Sequence, residues 1–226
     1  MSTNKSFLDK VVSLRPKKPL MPNKYYLVAV LLLLIMPAIF HDKSYIMHTF
    51  TLCLIWGVVA EAWNLMLGYA AIFSFGNIAF FTFGAYASAM LSMQLGISPW
   101  LGMLAGGAIA AIVGVGIGLP CLRLRGIYIA VVTLGLHLML PTLIHQGREY
   151  GTGSRDGLSN IPPLYFGGYT FDRLVWYYVG LALFLLFLFA IYKIINSRVG
   201  LAFITLRDGE AFAKSLGVNE FKYKLI

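Results

Sequence analysis

Six long apolar runs dominate the chain, parted by short polar or glycine-rich stretches. They are Tyr25–Phe40, Tyr45–Leu67, a run inside Ala71–Leu95, Pro99–Leu119, Gly126–Ile144 and Leu174–Ile195. A helix of roughly 20 apolar residues crosses about 30 Å of hydrocarbon. Runs this dense present no aqueous face, and in lipid the backbone must bond within its own segment, so helices are expected. Strict polar–apolar alternation is absent, which disfavours a β-barrel. The pattern predicts an all-α integral membrane protein, a polytopic helical bundle of about six spans. Gly68–Gly84 mixes Gly, Ser and Asn with aromatics, so a broken or re-entrant helix is expected in 68–84. Three parts follow: a basic N-terminal segment 1–24, a membrane region 25–195 with an outer loop 146–172, and a cytoplasmic loop 196–226.

Composition sharpens this picture. Of the 226 residues 59% are hydrophobic and 12% charged, yet the net charge is +9. Soluble domains carry about a quarter charged residues, so a soluble enzyme, a disordered protein and a disulfide scaffold are excluded. The basic residues do not form one soluble face, which argues against nucleic acid as a partner and for the lipid bilayer. Lys5, Lys10, Arg15, Lys17, Lys18 and Lys24 precede the first run; Arg123 and Arg125 lie between the fourth and fifth; six more lie from Lys193 onward. Six crossings put all of these on one side and only Lys43, Arg148, Arg155 and Arg173 on the other. The positive-inside bias then predicts a cytoplasmic N-terminus. The long polar lead and the missing small-residue cleavage pattern argue against a cleaved signal. Cys53 and Cys121 are expected to be small buried hydrophobes. No spacing of His and Cys suggests a metal site, and no cofactor is expected.

Within the membrane, Glu61 is the costliest residue. Gly57, Glu61, Asn64 and Gly68 share one helical face, expected to point into the bundle. Gly102, Gly106, Ala110, Gly114 and Gly118 form a small-residue ladder suited to close helix packing; Gly84, Ser88 and Ser92 form a second. His137 lies near the middle of the fifth run, one turn after Thr133 and one before Pro141, which is expected to kink the helix. Ser74 and Asn77 fall in the broken stretch. Glu61, Asn64, Ser74, Asn77, Thr133 and His137 are the candidate pathway-lining residues, although structural packing or hydrogen bonding is the plainer reading of Glu61 and His137. In the tail, Asp208 is expected to cap a short helix, about Gly209–Leu216, with Glu210 in its first turn. Ala211, Phe212 and Leu216 are its apolar knobs, and Gly217 suits its C-terminal stop. The loop Gln146–Asp172 is rich in turn formers and long enough for a binding lip.

Four stretches, WNLMLGYAAIFSFGNIAFFTFGAY (63–86), LRLRGIYIAVVTLG (122–135), TGSRDGL (152–158) and SRVGLAFITLRDGEAFAKSLG (197–217), resemble the permease subunits of bacterial branched-chain amino acid ABC transporters, the LivM-like branch. Order and spacing agree as well. Ala71-Ile72 stands where the family usually has Gly-Gln, Asn77-Ile78 where it often has His-Ala, Leu201 where an Arg is common and Gly209 where an Asp or Asn is common. The resemblance implies an inner-membrane protein that pairs with a second homologous permease subunit, two cytoplasmic ATP-binding subunits and an extracytoplasmic substrate-binding protein. It implies a coupling helix at Asp208–Gly217, with Arg207, Asp208, Glu210, Ala211, Leu216 and Gly217 contacting the ATPase. That pattern resembles the EAA loop of ABC permeases, with Gly217 one place late. Family members continue into further spans, so the end at Ile226 is expected to be a C-terminal truncation.

Related permeases for urea and short amides share these motifs and are the nearest alternative. An ion-coupled secondary transporter needs embedded titratable groups, and only Glu61 and His137 qualify. A membrane enzyme needs clustered chemistry, and His41-Asp42 is the nearest approach.

Overall fold

The computed structural model describes residues 23–40, 42–121, 124, 126–147, 151–153, 157–163, 165–166, 169–170, 172–209, 213 and 223. Each apolar run forms a helix: α1 (Asn23–Phe40), α2 (Ser44–Asn64), α3 (Gly76–Gln94), α4 (Pro99–Cys121), α5 (Ile127–Gln146) and α6 (Arg173–Ile195). A further helix, α7 (Arg198–Asp208), follows α6. In the connector before α6, a two-residue strand β1 (Tyr165–Phe166) pairs antiparallel with β2 (Tyr169–Thr170). The architecture is an all-α polytopic membrane fold with that one small hairpin among the described residues.

Among the described residues, four helical segments are long and apolar enough to cross a membrane: Ser44–Tyr69, Pro99–Cys121, Ile127–Gln146 and Arg173–Ile195. The apolar part of α1, Leu27–Phe40, is shorter. α3 has 19 residues, about 28 Å at 1.5 Å per residue, but Asn77, Thr82, Ser88, Ser92 and Gln94 lower its hydropathy. So the six runs give six helices, and four meet the spanning criterion unaided.

Two packing units organise the bundle. In the first, Met47 and Leu54 of α2 and Tyr177 and Leu181 of α6 form a buried cluster, with Leu33, Phe40, Phe50 and Phe184 against it. α2 and α6 start together, because the Arg173 guanidinium donates to the Ser44 hydroxyl. Asp172 opens α6 by accepting from the Arg173 amide at 2.7 Å. Pro37 lies inside α1 and has no N–H to give the Leu33 carbonyl four residues back. The buried Tyr177 hydroxyl donates to that carbonyl at 2.7 Å instead.

In the second unit, α3 and α4 pack more extensively than any other pair. The two small-residue ladders meet here, running antiparallel. Gly102 lies against Ser88 and Ser92, and a Cβ on Gly106 would run into the Gly84 carbonyl. With no side chain between them the backbones approach closely, which is how helices associate where no hydrophobic force separates them from lipid. The lower ladder is looser: Gly114 meets only the edge of Phe80, at 4.0 Å.

Candidate functional site

The break lies between α2 and α3, and it is shorter than 68–84. α2 continues through a π-helical turn, Leu65–Tyr69. Residues 71–75 are then irregular, and α3 runs unbroken from Gly76. Ala71 has a positive φ of 52°, a left-handed conformation that costs a residue with a Cβ about 1–2 kcal/mol.

A break inside an apolar bundle frees backbone groups that must find partners. Each of four finds one. The Ile72 amide donates to the Met66 carbonyl at 3.0 Å. The Trp63 indole N–H donates to the Ser74 carbonyl at 2.8 Å. The Phe75 amide donates to Thr133 Oγ1 at 3.0 Å. The Gly76 amide donates to Ser74 Oγ at 3.1 Å. The Thr133 hydroxyl spends its own proton on α5, with the Ile129 and Ala130 carbonyls at 2.7 and 3.1 Å. Ser74 and Thr133 are 3% and 4% exposed, so these bonds are shielded from competing solvent. Trp63 and Phe73 flank the Phe75 ring, with centroids 6.0 and 5.2 Å away.

The six candidate lining residues divide accordingly. Ser74 and Thr133 both serve the break: Ser74 bonds Trp63 and Gly76 within it, and Thr133 pins it to α5 through the Phe75 amide. Asn77 and His137 lie on α3 and α5, which pack on each other. Asn77 Nδ2 and His137 Nδ1 are buried with no hydrogen-bond partner. Such groups are rare in native proteins and call for an explanation. Glu61 and Asn64 are elsewhere. Asn64 Nδ2 donates to Glu61 Oε2 at 3.2 Å, Glu61 is half-buried and Asn64 exposed. Their face is therefore not uniformly inward: Gly57 meets the Phe184 ring of α6, while Asn64 turns outward.

Farther along α3 and α5 from the break, a half-open cavity of about 330 Å³ lies between the two helices. Thr82 and Tyr86 of α3, His137, Leu140, Pro141, Ile144 and His145 of α5, and Gly157 of the following loop line it. The loop is fastened over the end of α5. Thr152 donates its hydroxyl to the Ile144 carbonyl at 2.6 Å and its amide to the Gly147 carbonyl at 3.3 Å. Gly153, at φ 84°, rests on the Gly157 carbonyl with no space for a side chain. Sequence reasoning singled out His137 and Pro141 here but not Thr82, Tyr86, Leu140, Ile144 or His145. Helical spacing carried part of the signal, since 82 and 86 share a face, as do 137, 141 and 144.

At the other end of the break, α7 lies against α6 and the π-turn. Ser197 caps it, accepting from the Val199 amide at 3.1 Å, and Ala202, Phe203, Ile204 and Leu206 are buried. Arg207 Nη1 donates to the Gly68 carbonyl at 3.2 Å. The cap assignment in the tail needs correction. Asp208 is the last residue of α7, in helical conformation, one place before the position from which the next turn starts. Gly209, in extended backbone, takes that place: its carbonyl accepts from the Ala213 amide at 2.9 Å. Glu210, Ala211, Leu216 and Gly217, like the basic residues before Asn23 and Arg123, Arg125, Arg148 and Arg155, lie outside the described residues. No group of three or more His, Cys, Asp or Glu gathers in metal-binding geometry among the described residues.

Comparison with known proteins supplies the context. The family model described as "Branched-chain amino acid transport system / permease component" matches residues 45–226. The chain is 31% identical over 227 residues to the high-affinity branched-chain amino acid transport system permease protein LivM of Escherichia coli (strain K12), covering 90% of this chain and 53% of that protein. It is 32% identical over 199 residues to the LivM protein of Salmonella typhimurium (strain LT2), covering 77% of this chain and 47% of that one. The chain thus spans about half the length of these relatives. No solved structure matches it significantly.

Proposed function

Because the chain belongs to the branched-chain amino acid transport system permease family, we propose that it is a membrane-spanning permease subunit of an ABC importer for branched-chain amino acids. Its partners on this reading are a second homologous permease, two cytoplasmic ATP-binding subunits and an extracytoplasmic binding protein. It resides in the bacterial inner membrane with its N-terminus inside, as the uneven distribution of Lys and Arg favours. The tail from Asn196 is then cytoplasmic, and the loop over α5 faces outward.

The observation that carries the mechanism is the bond from Arg207 to the Gly68 carbonyl. α7 precedes the tail segment assigned to ATPase contact. Through Arg207 it holds the π-turn, the π-turn leads into the break, and Thr133 ties the break to α5. Movement of the tail by an ATPase therefore has a continuous set of contacts through which to act on the α3–α5 seam. The chain needs no catalytic group of its own, because the ATPase supplies the energy. Family membership does not favour an ion-coupled transporter, and Glu61 is engaged by Asn64.

The test is ATP-dependent leucine uptake into vesicles carrying the full permease complex. Arg207→Ala combined with Glu210→Ala is expected to reduce uptake at least tenfold while leaving complex assembly intact. Undiminished uptake would remove the coupling assignment.

A further inference from the structure

We infer that the face of α2 beside Glu61 is a docking surface for a transmembrane helix of a second permease polypeptide, one that brings a basic side chain to the depth of Glu61. This rests on the permease reading and gives its partner a place to bind. α2 has two sides. Met47 and Leu54 pack on α6 in the buried cluster. Leu52, Trp56, Ala60 and Asn64 recur every four residues on the other side, and all four are exposed. Leu52 and Trp56 are at ease against lipid. The end of the row is different: Asn64 is polar, and it donates to the half-buried Glu61 at 3.2 Å.

Depth makes that pair costly. The segment Ser44–Tyr69 has 26 residues, about 39 Å at 1.5 Å per residue, against roughly 30 Å of hydrocarbon. Glu61 stands about 12 Å from its end. Even with the whole excess of about 9 Å at that end, Glu61 lies below the hydrocarbon edge. An acid at that level pairs with a cation or faces a polar path, and a neutral amide leaves its charge uncompensated. Arg207 binds farther out, at the Gly68 carbonyl, about 10 Å along the helix from Glu61. A zwitterionic lipid headgroup fits badly here. Its ammonium would lie at Glu61, deeper than its phosphate at Arg207, the reverse of their order in a bilayer. A helix fits. Ala60, small and exposed one turn before Asn64, lets a second backbone come close. A Lys or Arg on that helix then meets the Glu61 carboxylate, which has lone pairs beyond the one Asn64 uses.

The experiment uses the complete permease complex in vesicles, with Cys53 and Cys121 replaced by Ser. Ala60→Cys carries a benzophenone maleimide on the proposed surface, and Leu186→Cys carries it on the exposed side of α6 as control. After illumination the adducts are identified by mass spectrometry. Position 60 is expected to give at least five times more adduct with the second permease than position 186, at a peptide containing Lys or Arg. Glu61→Lys is then expected to lower recovery of the second permease with this chain about tenfold, and exchange of that basic residue for Glu should restore it. Adducts confined to lipid or to the same polypeptide, equal adducts at the two positions, or recovery unchanged by Glu61→Lys would overturn the assignment. The adduct measurement keeps Glu61, so it stands even where Glu61→Lys fails to fold. ATP-driven leucine uptake in the same vesicles judges the permease reading separately. Uptake without the adduct removes the surface and keeps the permease; the adduct without uptake does the opposite.

Discussion

Pro37 in α1 and Pro141 in α5 pose the same problem and receive opposite treatment. Each sits inside an apolar helix and deprives the carbonyl four residues back of its amide. At Pro37 the ring is buried, and the Tyr177 hydroxyl takes over the Leu33 carbonyl. The α1–α2–α6 unit is thereby sealed. At Pro141 the ring is exposed, His137 lines a cavity, and its imidazole has an unpartnered nitrogen. No described side chain takes the place that Tyr177 takes. The lesson is that a membrane helix kink is a structural repair in one setting and an open valence in another. What decides is whether a neighbouring helix brings a donor.

Four substitutions probe the contrast, with thermal unfolding in detergent micelles as the common measurement. The largest effect is expected at the sealed end. Tyr177→Ala removes a fully buried ring and leaves the Leu33 carbonyl unpaired, at a cost of about 3–5 kcal/mol. A loss below about 1 kcal/mol would mean that the unit is not sealed by this residue. Next, Pro141→Ala restores an amide to the His137 carbonyl and removes an exposed ring, so the fold is expected to gain about 1–3 kcal/mol. Pro37→Ala should bring no such gain, because its carbonyl already has a donor and its ring packs. Equal gains at the two prolines would erase the distinction. The smallest change is Ala71→Gly in the break between the two units. Glycine relieves the positive φ and is expected to add about 0.5–1 kcal/mol.

Much of this architecture is written in the sequence because the bilayer imposes a length. The six helices fall within a few residues of the apolar runs. The two ladders are also legible, since Gly102, Gly106 and Ala110 repeat at helical spacing and so do Gly84, Ser88 and Ser92. α7 was legible in principle: Ser197 caps it, and Val199, Ala202, Phe203 and Leu206 follow the spacing of one helical face. A short amphipathic helix beside far stronger membrane runs is easily passed over. The shape of the break was not legible. Trp63 reaches Ser74 and Thr133 reaches Phe75 across sequence gaps that no local rule connects. Among the candidate lining residues, Ser74, Thr133, Asn77 and His137 gather at one seam, while Glu61 and Asn64 pair elsewhere. Burial of an acid predicts that it needs a partner, but not that the partner is three residues away. The cavity was hidden for a similar reason, since one of its edges is a loop glycine.

The α3–α4 seam sets which joints of the bundle are free. Where the Gly106 backbone lies on the Gly84 carbonyl there is no layer of side chains to slide or repack. Two helices in such contact behave as one plank, and α4 must travel wherever α3 goes. The α3–α5 boundary is different in kind: a few directed bonds, two orphan nitrogens and a void. A force that reaches the break is therefore relieved along that boundary and not within the plank.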